Sequence, residues 1–305
     1  MKCDICGRVA VMAMPQHRLQ LCEEHYVAWV SRMVQRAIDR YGLFTREESI
    51  LVAVSGGKDS LALWEILIDL GYRAEGLYIH LGIAHEGYSD LSEAKVRAFA
   101  EQHGGAPYQV VNVADTYGLG IPALARRNRV SRPCSVCGTI KRHVMNRVAY
   151  EGGFAVVATG HNLDDEAATL LQNTLSWQEG YLRRQAPLLP ADPAGLVRKV
   201  KPLYLLYERE MAGYALVRGV DYIEDECPLS VGAKTILYKE TLNTLEARSP
   251  GAKRRFYMEF LQAKARGLFG EEVAHVRPLR PCARCGQPTT AEALCSFCRL
   301  WEAPR

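Results

Sequence analysis

The sequence predicts an α/β protein with an open, mostly parallel sheet, helices on both faces and a small cysteine-rich module at each end. Apolar runs alternate with helical patterns from residue 49 onward, which is typical of parallel strands joined by crossover helices. A double glycine joins the first of these runs to a helix, and pairs of cysteines stand near both ends of the chain. With 305 residues, 48% hydrophobic and 24% charged, the chain is long enough for one substantial domain with attachments.

The N-terminal residues have the spacing of a structural zinc site. Two Cys-x-x-Cys/His pairs supply four soft ligands: Cys3, Cys6, Cys22 and His25. Because four ligands fill the tetrahedral shell of zinc, the metal is expected to stabilise the fold and to do no chemistry. We assign residues 1–28 to this finger and residues 29–48 to a linker helix. Apolar residues at helical spacing predict that helix over 26–41: Val30, Met33, Val34, Ala37 and Ile38.

The central domain is predicted over residues 49–230. Its strands are expected at 50–54, 73–80, 107–113 and 155–159. Its helices are expected at 59–70, 90–103, 137–151, 164–175 and 208–218. A last short strand is expected at Tyr222–Ile223, whereas three prolines indicate irregular backbone over 176–201. Sheets of this kind bind ligands beyond the carboxyl ends of their strands.

The C-terminal part divides into helices and a second cysteine module. Residues 231–276 are predicted to hold helices at 234–246 and 252–265, followed by a stiff Pro-containing linker at 277–281. Residues 277–305 then form a zinc ribbon, in which nine residues separate two Cys-x-x-Cys pairs. The ligands of this second structural zinc are Cys282, Cys285, Cys295 and Cys298.

The segment Ser55-Gly56-Gly57-Lys58-Asp59-Ser60 has the composition of a phosphate site. The glycines let the backbone approach an anion, the free N–H groups of the next helix point at it, and Lys58 adds a charge. The segment is not a Walker A motif, which needs four residues between its first glycine and the Gly-Lys pair. The alternative is a chance glycine turn before a helix.

A second motif, Gly160-His161-Asn162-Leu163-Asp164-Asp165-Glu166, follows another buried strand and so faces the same edge of the sheet. Carboxylates beside an anion site suit Mg²⁺, which proteins hold with hard oxygen ligands together with substrate phosphates. Helix capping by Asp164 and Asp165 is the alternative, but it does not account for the preceding Gly-His-Asn.

Three cysteines remain outside the zinc modules: Cys134, Cys137 and Cys227. Three thiolates are an odd number for zinc. They suit a redox pair with a bystander, a catalytic persulfide with a partner, or an iron–sulfur cluster that leaves one iron open. Spacing leaves these options open.

Taken together, the motifs resemble the TtuA-type tRNA 2-thiouridine synthetases, which belong with TtcA to the PP-loop ATP pyrophosphatases of HUP or Rossmann-like fold. The resemblance covers nearly the whole chain, and the zinc modules argue against the TtcA branch. It implies an enzyme that uses ATP to adenylate the uracil 2-oxygen of a tRNA and replaces that oxygen with sulfur, with position 54 of the T loop as the favoured target.

The resemblance also implies the groups that this chemistry uses. It places a [4Fe–4S] cluster on Cys134, Cys137 and Cys227, with sulfur supplied by a ubiquitin-like carrier protein bearing a thiocarboxylate, and it implies a homodimer. Asp59, Lys141 and Asp165 are the expected catalytic residues. ATP with Mg²⁺ is expected to bind Ala53, Val54, Ser55, Gly57, Lys58, Asp59, Ser60, Ile79, Lys141 and Gly160.

The remaining expectations concern location and partners. No run of about eighteen apolar residues and no signal sequence is visible, so a cytoplasmic protein without a membrane segment is expected. Basic clusters suit RNA or are merely solvated faces: 126–129, 183–184, 198–201 and 253–255. Two other functions stay open, a thiolase of the wobble uridine at position 34 and a non-catalytic RNA-binding scaffold.

Overall fold

The computed structural model describes residues 1–130, 133–230, 234–270 and 278–302. Ten strands are present in these ranges: β1 (Met12–Met14), β2 (Leu19–Leu21), β3 (Ser49–Val54), β4 (Arg73–His80), β5 (Tyr108–Asn112), β6 (Val156–Thr159), β7 (Leu188–Leu189), β8 (Arg198–Val200), β9 (Arg280–Pro281) and β10 (Pro288–Thr289). The α-helices in the same ranges are α1 (Glu23–Tyr41), α2 (Lys58–Asp69), α3 (Tyr88–Gln102), α4 (Val113–Tyr117), α5 (Ile121–Arg127), α6 (Pro133–Glu151), α7 (Leu163–Leu175), α8 (Glu179–Arg184), α9 (Glu208–Arg218), α10 (Lys234–Arg248), α11 (Ala252–Ala265) and α12 (Ser296–Arg299).

The central sheet has six strands in the order β5-β4-β3-β6-β8-β7, and only β7 runs antiparallel to its neighbour. Strand β3 lies between β4 and β6, with Ile50 opposite both Ala74 and Val156. Its residues are mostly buried, as an uncharged apolar run predicts. The chain leaves β3 toward one edge of the sheet and β6 toward the other, which leaves a crevice beyond the carboxyl ends of these two strands. The predicted open parallel sheet is confirmed.

The N-terminal module shares a core with the central domain. Helix α1 begins at Glu23 inside the predicted finger, and its buried face carries the predicted apolar residues, with Met33 only partly buried. The Tyr26 hydroxyl donates a hydrogen bond to the carbonyl of Glu210, in α9. A Cβ at Gly213 would lie 2.6 Å from Met12 Cε and 3.0 Å from the Tyr26 hydroxyl oxygen, so α9 packs closely against this module at its glycine. The linker helix is therefore part of the domain packing.

Two predictions between residues 176 and 223 are wrong. The segment expected to be irregular contains α8, β7 and β8, because β8 satisfies the free edge of β6 by parallel pairing. Tyr222–Ile223 is not a strand. Instead, the Ile223 N–H donates to the carbonyl of Gly56 at 2.9 Å, which places this segment against the glycine turn.

The C-terminal elements attach to two sides of the sheet. Helices α10 and α11 pack on α7, and the hairpin β9–β10 with α12 packs on α6. The predicted linker is partly wrong, because Arg280–Pro281 forms β9 of the ribbon itself. Residues 231–233, 271–277 and 303–305, at the edges of the predicted C-terminal segments, lie outside the described ranges. No described helix combines the length and apolar character needed to cross a bilayer.

Candidate active site

Hydrogen bonds of its serines fix the conformation of the glycine turn after β3. Gly56 has φ +78°, and a Cβ there would lie 2.6 Å from the carbonyl oxygen of Ser92. The Ser60 hydroxyl donates to the carbonyl of Gly57 and accepts from the N–H of Ser55, both at 3.0 Å. The turn is thus fixed in front of α2, with backbone N–H groups available for an anion.

The loop after β6 meets this turn. Gly160 lies so close to α2 that a Cβ would be 2.9 Å from the backbone nitrogen of Ser60. Asn162 then caps α7, since its side chain accepts from the N–H groups of Asp164 and Asp165. Asp165 completes a capping box by accepting from the N–H of Asn162 at 3.0 Å. Of the two residues in the capping alternative, Asp165 does cap α7, whereas Asp164 does not.

The three acidic residues of α7 point in different directions. Asp164 is buried and pairs with Lys253 of α11, and it also accepts from the N–H of Glu208 at 2.9 Å. Glu166 is buried and contacts the Lys201 ammonium at 2.7 Å and the Tyr257 hydroxyl at 2.9 Å. Both have structural partners. Asp165 alone lines the cavity beside the glycine turn, as expected of a functional carboxylate.

An ion network surrounds the phosphate turn. Lys58 Nζ lies 3.1 Å from Asp59 Oδ2 and 3.1 Å from Glu208 Oε1. Lys239 Nζ lies 3.0 Å from Glu208 Oε2 and 2.6 Å from Asp165 Oδ1. Burial opposes both ammonium charges, but the surrounding carboxylates outweigh it and raise the pKa of each lysine. Burial also raises the pKa of Asp59 to about 6.

A cavity of about 390 Å³ opens at the crevice between β3 and β6. Nine of the ten residues expected to bind ATP line it: Ala53, Val54, Ser55, Gly57, Asp59, Ser60, Ile79, Lys141 and Gly160. Lys58 is absent from the lining, because its ammonium turns toward Glu208. The expected catalytic residues Asp59, Lys141 and Asp165 all face this cavity. The apolar wall on the Ile79 side, with Leu77 and Leu81, suits a flat base.

A second cavity, of about 370 Å³, adjoins the first. The two share Ser55, Gly57, Tyr88 and Asp165 in their walls. The second one also reaches Cys227, so the phosphate turn and one of the three unassigned cysteines line adjoining cavities.

The three cysteines converge from two elements. Cys134 and Cys137 lie on the first turn and a half of α6, and Cys134 Sγ is 3.4 Å from the carbonyl oxygen of Leu229, two residues beyond Cys227. Burial raises the pKa of the Cys137 thiol, Lys141 lowers it, and the neighbouring Cys227 and Cys134 raise it. The three residues are therefore close, and none is in a disulfide.

Both predicted zinc sets are assembled. The ligand atoms of Cys3, Cys6, Cys22 and His25 lie within 4.8 Å of one another, and so do those of Cys282, Cys285, Cys295 and Cys298. Among the described residues, the sulfurs of Cys134, Cys137 and Cys227 do not form a group this tight. Ligands of a single ion must converge in this way, whereas a cluster gives each thiolate its own iron.

The C-terminal ribbon supports the helix that carries two of these cysteines. The Phe297 ring stacks on the His143 ring of α6 with centroids 3.5 Å apart. The Asn146 side-chain amide of α6 donates to the side-chain oxygen Oε1 of Gln287 at 2.8 Å. Burial lowers the pKa of His143 to about 4, so this ring is neutral in the interface at neutral pH.

Sequence reasoning missed several residues at this site. Glu208 and Lys239 lie far along the chain from the glycine turn, and no local motif marks them. Tyr88 stands between the two cavities. The basic clusters also differ from expectation: Lys253, Lys201 and Arg198 have carboxylate partners inside the fold, so these three are not solvated cations available to RNA.

The fold and the crevice define a nucleotide-binding protein of the PP-loop class. A family model described as a PP-loop domain matches residues 28–231. A second model, described as the N-terminal LIM domain of the 2-thiouridine synthetase TtuA, matches residues 2–27. The chain therefore has a PP-loop domain preceded by a domain that matches the N-terminal domain of TtuA.

Two relatives are similar over almost the whole chain. The tRNA-5-methyluridine(54) 2-sulfurtransferase of Thermus thermophilus is 51% identical, with 99% of this chain and 92% of the relative covered. The enzyme of that name from Thermotoga maritima is 42% identical, with 98% and 96% covered. This protein belongs to the family of tRNA-5-methyluridine(54) 2-sulfurtransferases.

A solved structure has the same fold. The U34-tRNA thiolase NcsA from Methanococcus maripaludis, determined with its [4Fe–4S] cluster, is similar with a TM-score of 0.77 and 26% sequence identity. The similarity covers 87% of this chain and 88% of that one. The predicted resemblance to tRNA thiolases is thus confirmed at the level of the family.

Proposed function

We propose that this protein is an ATP-dependent tRNA thiolase, which replaces the 2-oxygen of the uracil at position 54 with sulfur. Two adjoining cavities carry the proposal, because they share wall residues and together extend from the phosphate turn to Cys227. This arrangement would let one base reach both an activated phosphate and a sulfur source. The names and the high identity of the relatives support tRNA as the substrate and position 54 as the target.

The first chemical step takes place at the phosphate turn. The uracil 2-oxygen attacks the α-phosphorus of ATP, the bond to the β-phosphate oxygen breaks, and pyrophosphate leaves. A sulfur nucleophile then attacks carbon 2 of the uracil, which carries the adenylated oxygen, and AMP departs with that oxygen. This order turns a poor leaving group into a good one before sulfur arrives.

The carboxylates of the cavity fit a magnesium ion. Asp59 Oδ1 is buried and has no hydrogen-bond partner among the residues that the structure describes. Asp165 lines the same cavity. Two carboxylates beside a phosphate site are a usual donor set for Mg²⁺, which completes its shell with phosphate oxygens and water. We propose that Asp59 and Asp165 hold the ion that accompanies ATP.

Lys141 links the two halves of the site. It follows Cys137 by one helical turn of α6 and lines the nucleotide cavity. An ammonium group there would stabilise negative charge that develops on the α-phosphate. We therefore propose Lys141 as the catalytic cation.

Cys134, Cys137 and Cys227 fit a [4Fe–4S] cluster better than they fit a single ion. They are close, free of disulfides and less convergent than either zinc set. When bound by three thiolates, such a cluster leaves one iron open to hold a sulfur atom. The solved thiolase with its cluster supports this assignment.

Metal analysis tests the cysteine assignment. Protein purified without oxygen is expected to contain about four iron and two zinc per chain. Cys137→Ser should lose both iron and activity, whereas Thr139→Ala, on the same helix, should keep both. If Cys137→Ser lacks iron but still thiolates tRNA, the three-thiolate cluster is refuted, and persulfide chemistry on Cys134 and Cys227 replaces it.

Mass spectrometry of tRNA tests the target. A deletion strain is expected to lose 2-thioribothymidine at position 54 and to keep any wobble thiouridine. Loss of the position 34 thiouridine instead would assign the protein to the reaction named for the solved thiolase. Unchanged thiolation at both positions would reduce the protein to an RNA-binding scaffold.

The proposal includes further partners. We propose a ubiquitin-like carrier with a C-terminal thiocarboxylate as the sulfur donor, structural zinc in both cysteine modules, a homodimer, and action in the cytoplasm. The donor chemistry of the two four-ligand sets supports zinc. The resemblance to TtuA-type enzymes supports the carrier and the dimer.

A further inference from the structure

Helix α10 reaches the phosphate turn with one side chain. Lys239 lies within this helix, outside the range that matches the PP-loop model. Its ammonium group contacts Asp165 and Glu208 at 2.6 and 3.0 Å. The other oxygen of Glu208 contacts Lys58, so one carboxylate joins the lysine of the motif to a lysine from the C-terminal helices.

The cavity walls show which side of the nucleotide Lys239 faces. It lines the second cavity together with Ser55 and Gly57 of the glycine turn. That cavity does not include Ile79 or the other apolar residues that suit the base. The side chain is 24% exposed, so the ammonium group belongs to the cavity wall and is not a free surface cation. Lys239 thus faces the glycine turn, the end of the site where the phosphates are expected.

The charges of the network indicate an exchange of partners. Three carboxylates surround two ammonium groups here: Asp59, Asp165 and Glu208 around Lys58 and Lys239. A magnesium ion that takes oxygens of Asp59 and Asp165 competes with the lysines for the same carboxylates. The ammonium groups are then free to pair with phosphate oxygens through charge-assisted hydrogen bonds.

We propose that Lys239 is a phosphate-binding residue of the ATP site and that it contacts the β- and γ-phosphates from helix α10. This inference rests on the proposed function, since ATP is the nucleotide of that reaction. The same contact would stabilise the charge of the departing pyrophosphate. Glu208 acts as a positioning residue that holds Lys239 and Lys58 beside the turn before ATP binds.

The test compares nucleotides that differ only in these phosphates. The dissociation constants of ATP and of AMP are measured by titration calorimetry with Mg²⁺ and without tRNA. Lys239→Met is expected to raise the Kd of ATP by about tenfold or more, as loss of a charge-assisted contact does, and to leave the Kd of AMP within about twofold. Lys239→Arg should recover most of the ATP affinity. Lys234→Met, at an exposed position of the same helix, should change neither value.

Three outcomes would overturn the inference. An unchanged Kd of ATP in Lys239→Met would show that the ammonium group does not contact the phosphates. Equal weakening of ATP and AMP would show a general collapse of the pocket. Reduced affinity for tRNA with normal affinity for ATP would place Lys239 on the RNA surface.

The inference and the proposed function fail in different measurements. Wild-type protein that binds ATP but leaves position 54 of tRNA unthiolated refutes the proposed function, while the ratio of ATP to AMP affinities still decides the role of Lys239. Wild-type protein that thiolates tRNA, with Lys239→Met binding ATP normally, refutes the inference alone.

Discussion

Gly160 joins the two halves of the nucleotide site, and replacing it by alanine should separate them. The added Cβ would lie 2.9 Å from the Ser60 nitrogen and 3.0 Å from the Asp59 carbonyl carbon. Both atoms belong to the backbone of the first turn of α2, so neither can rotate away. Ordinary contacts begin at 3.4 Å, so the loop after β6 must move by about 0.5 Å.

Two quantities should respond to Gly160→Ala. Overpacking of this kind typically lowers the free energy of unfolding by about 1–3 kcal/mol. The shift also moves Asp165 relative to Asp59, and because misplacement of catalytic groups by about 1 Å can cost roughly a hundredfold, kcat/KM for ATP should fall roughly tenfold. Guanidinium denaturation measures the first quantity, and AMP formation during tRNA thiolation measures the second.

Gly180→Ala is the matched control. Gly180 lies in α8 without a positive φ, and a Cβ there would meet nothing within 4 Å. This variant should keep full activity and gain up to about 1 kcal/mol of stability from helix propensity. If Gly160→Ala has the stability and kcat/KM of the wild type, the close approach of the two loops is not a constraint, and the reasoning fails.

Three further variants test the packing around the site. Lys253→Met should lower the free energy of unfolding, measured by urea denaturation, by about 3–5 kcal/mol, because Asp164 stays buried without its partner. The double variant that adds Asp164→Leu should recover most of this loss. Wild-type stability should decrease as the pH falls from about 6.5 toward 4. In this range the unfolded chain protonates His143, whereas the folded protein, in which the His143 pKa is about 4, does not. His143→Phe should flatten this part of the measured pH dependence of stability, and an unchanged slope would contradict the assignment. Phe297→Ala should lower the free energy of unfolding by about 3–5 kcal/mol while the zinc content stays normal. It should also lower iron retention, because α6, which carries Cys134 and Cys137, loses the stacking contact of His143 with Phe297. Normal iron content would show that the ribbon does not position the cysteines.

Residue types and short spacings are enough to predict those parts of the molecule whose chemistry is local. The glycine turn, the Gly-His-Asn loop and both zinc sets are specified by residue types at short, fixed spacings, and each is assembled as expected. Strands β3 and β6 were also predictable, since a strand buried on both faces is typically an uncharged apolar run. The class of fold and the edge of the sheet that carries the site follow from these elements.

Which acidic side chain pairs with which basic one depends on how the helices pack, and local sequence does not predict it. Asp164, Asp165 and Glu166 are adjacent in sequence, yet only Asp165 faces the nucleotide cavity, because consecutive residues of a helix point about 100° apart and α11 covers the other two directions. Lys58 and Glu208 are 150 residues apart, and Lys239 comes from another helix again. Ion pairs of this kind leave no periodicity or spacing in the chain, since their partners are set by how helices pack and not by local geometry.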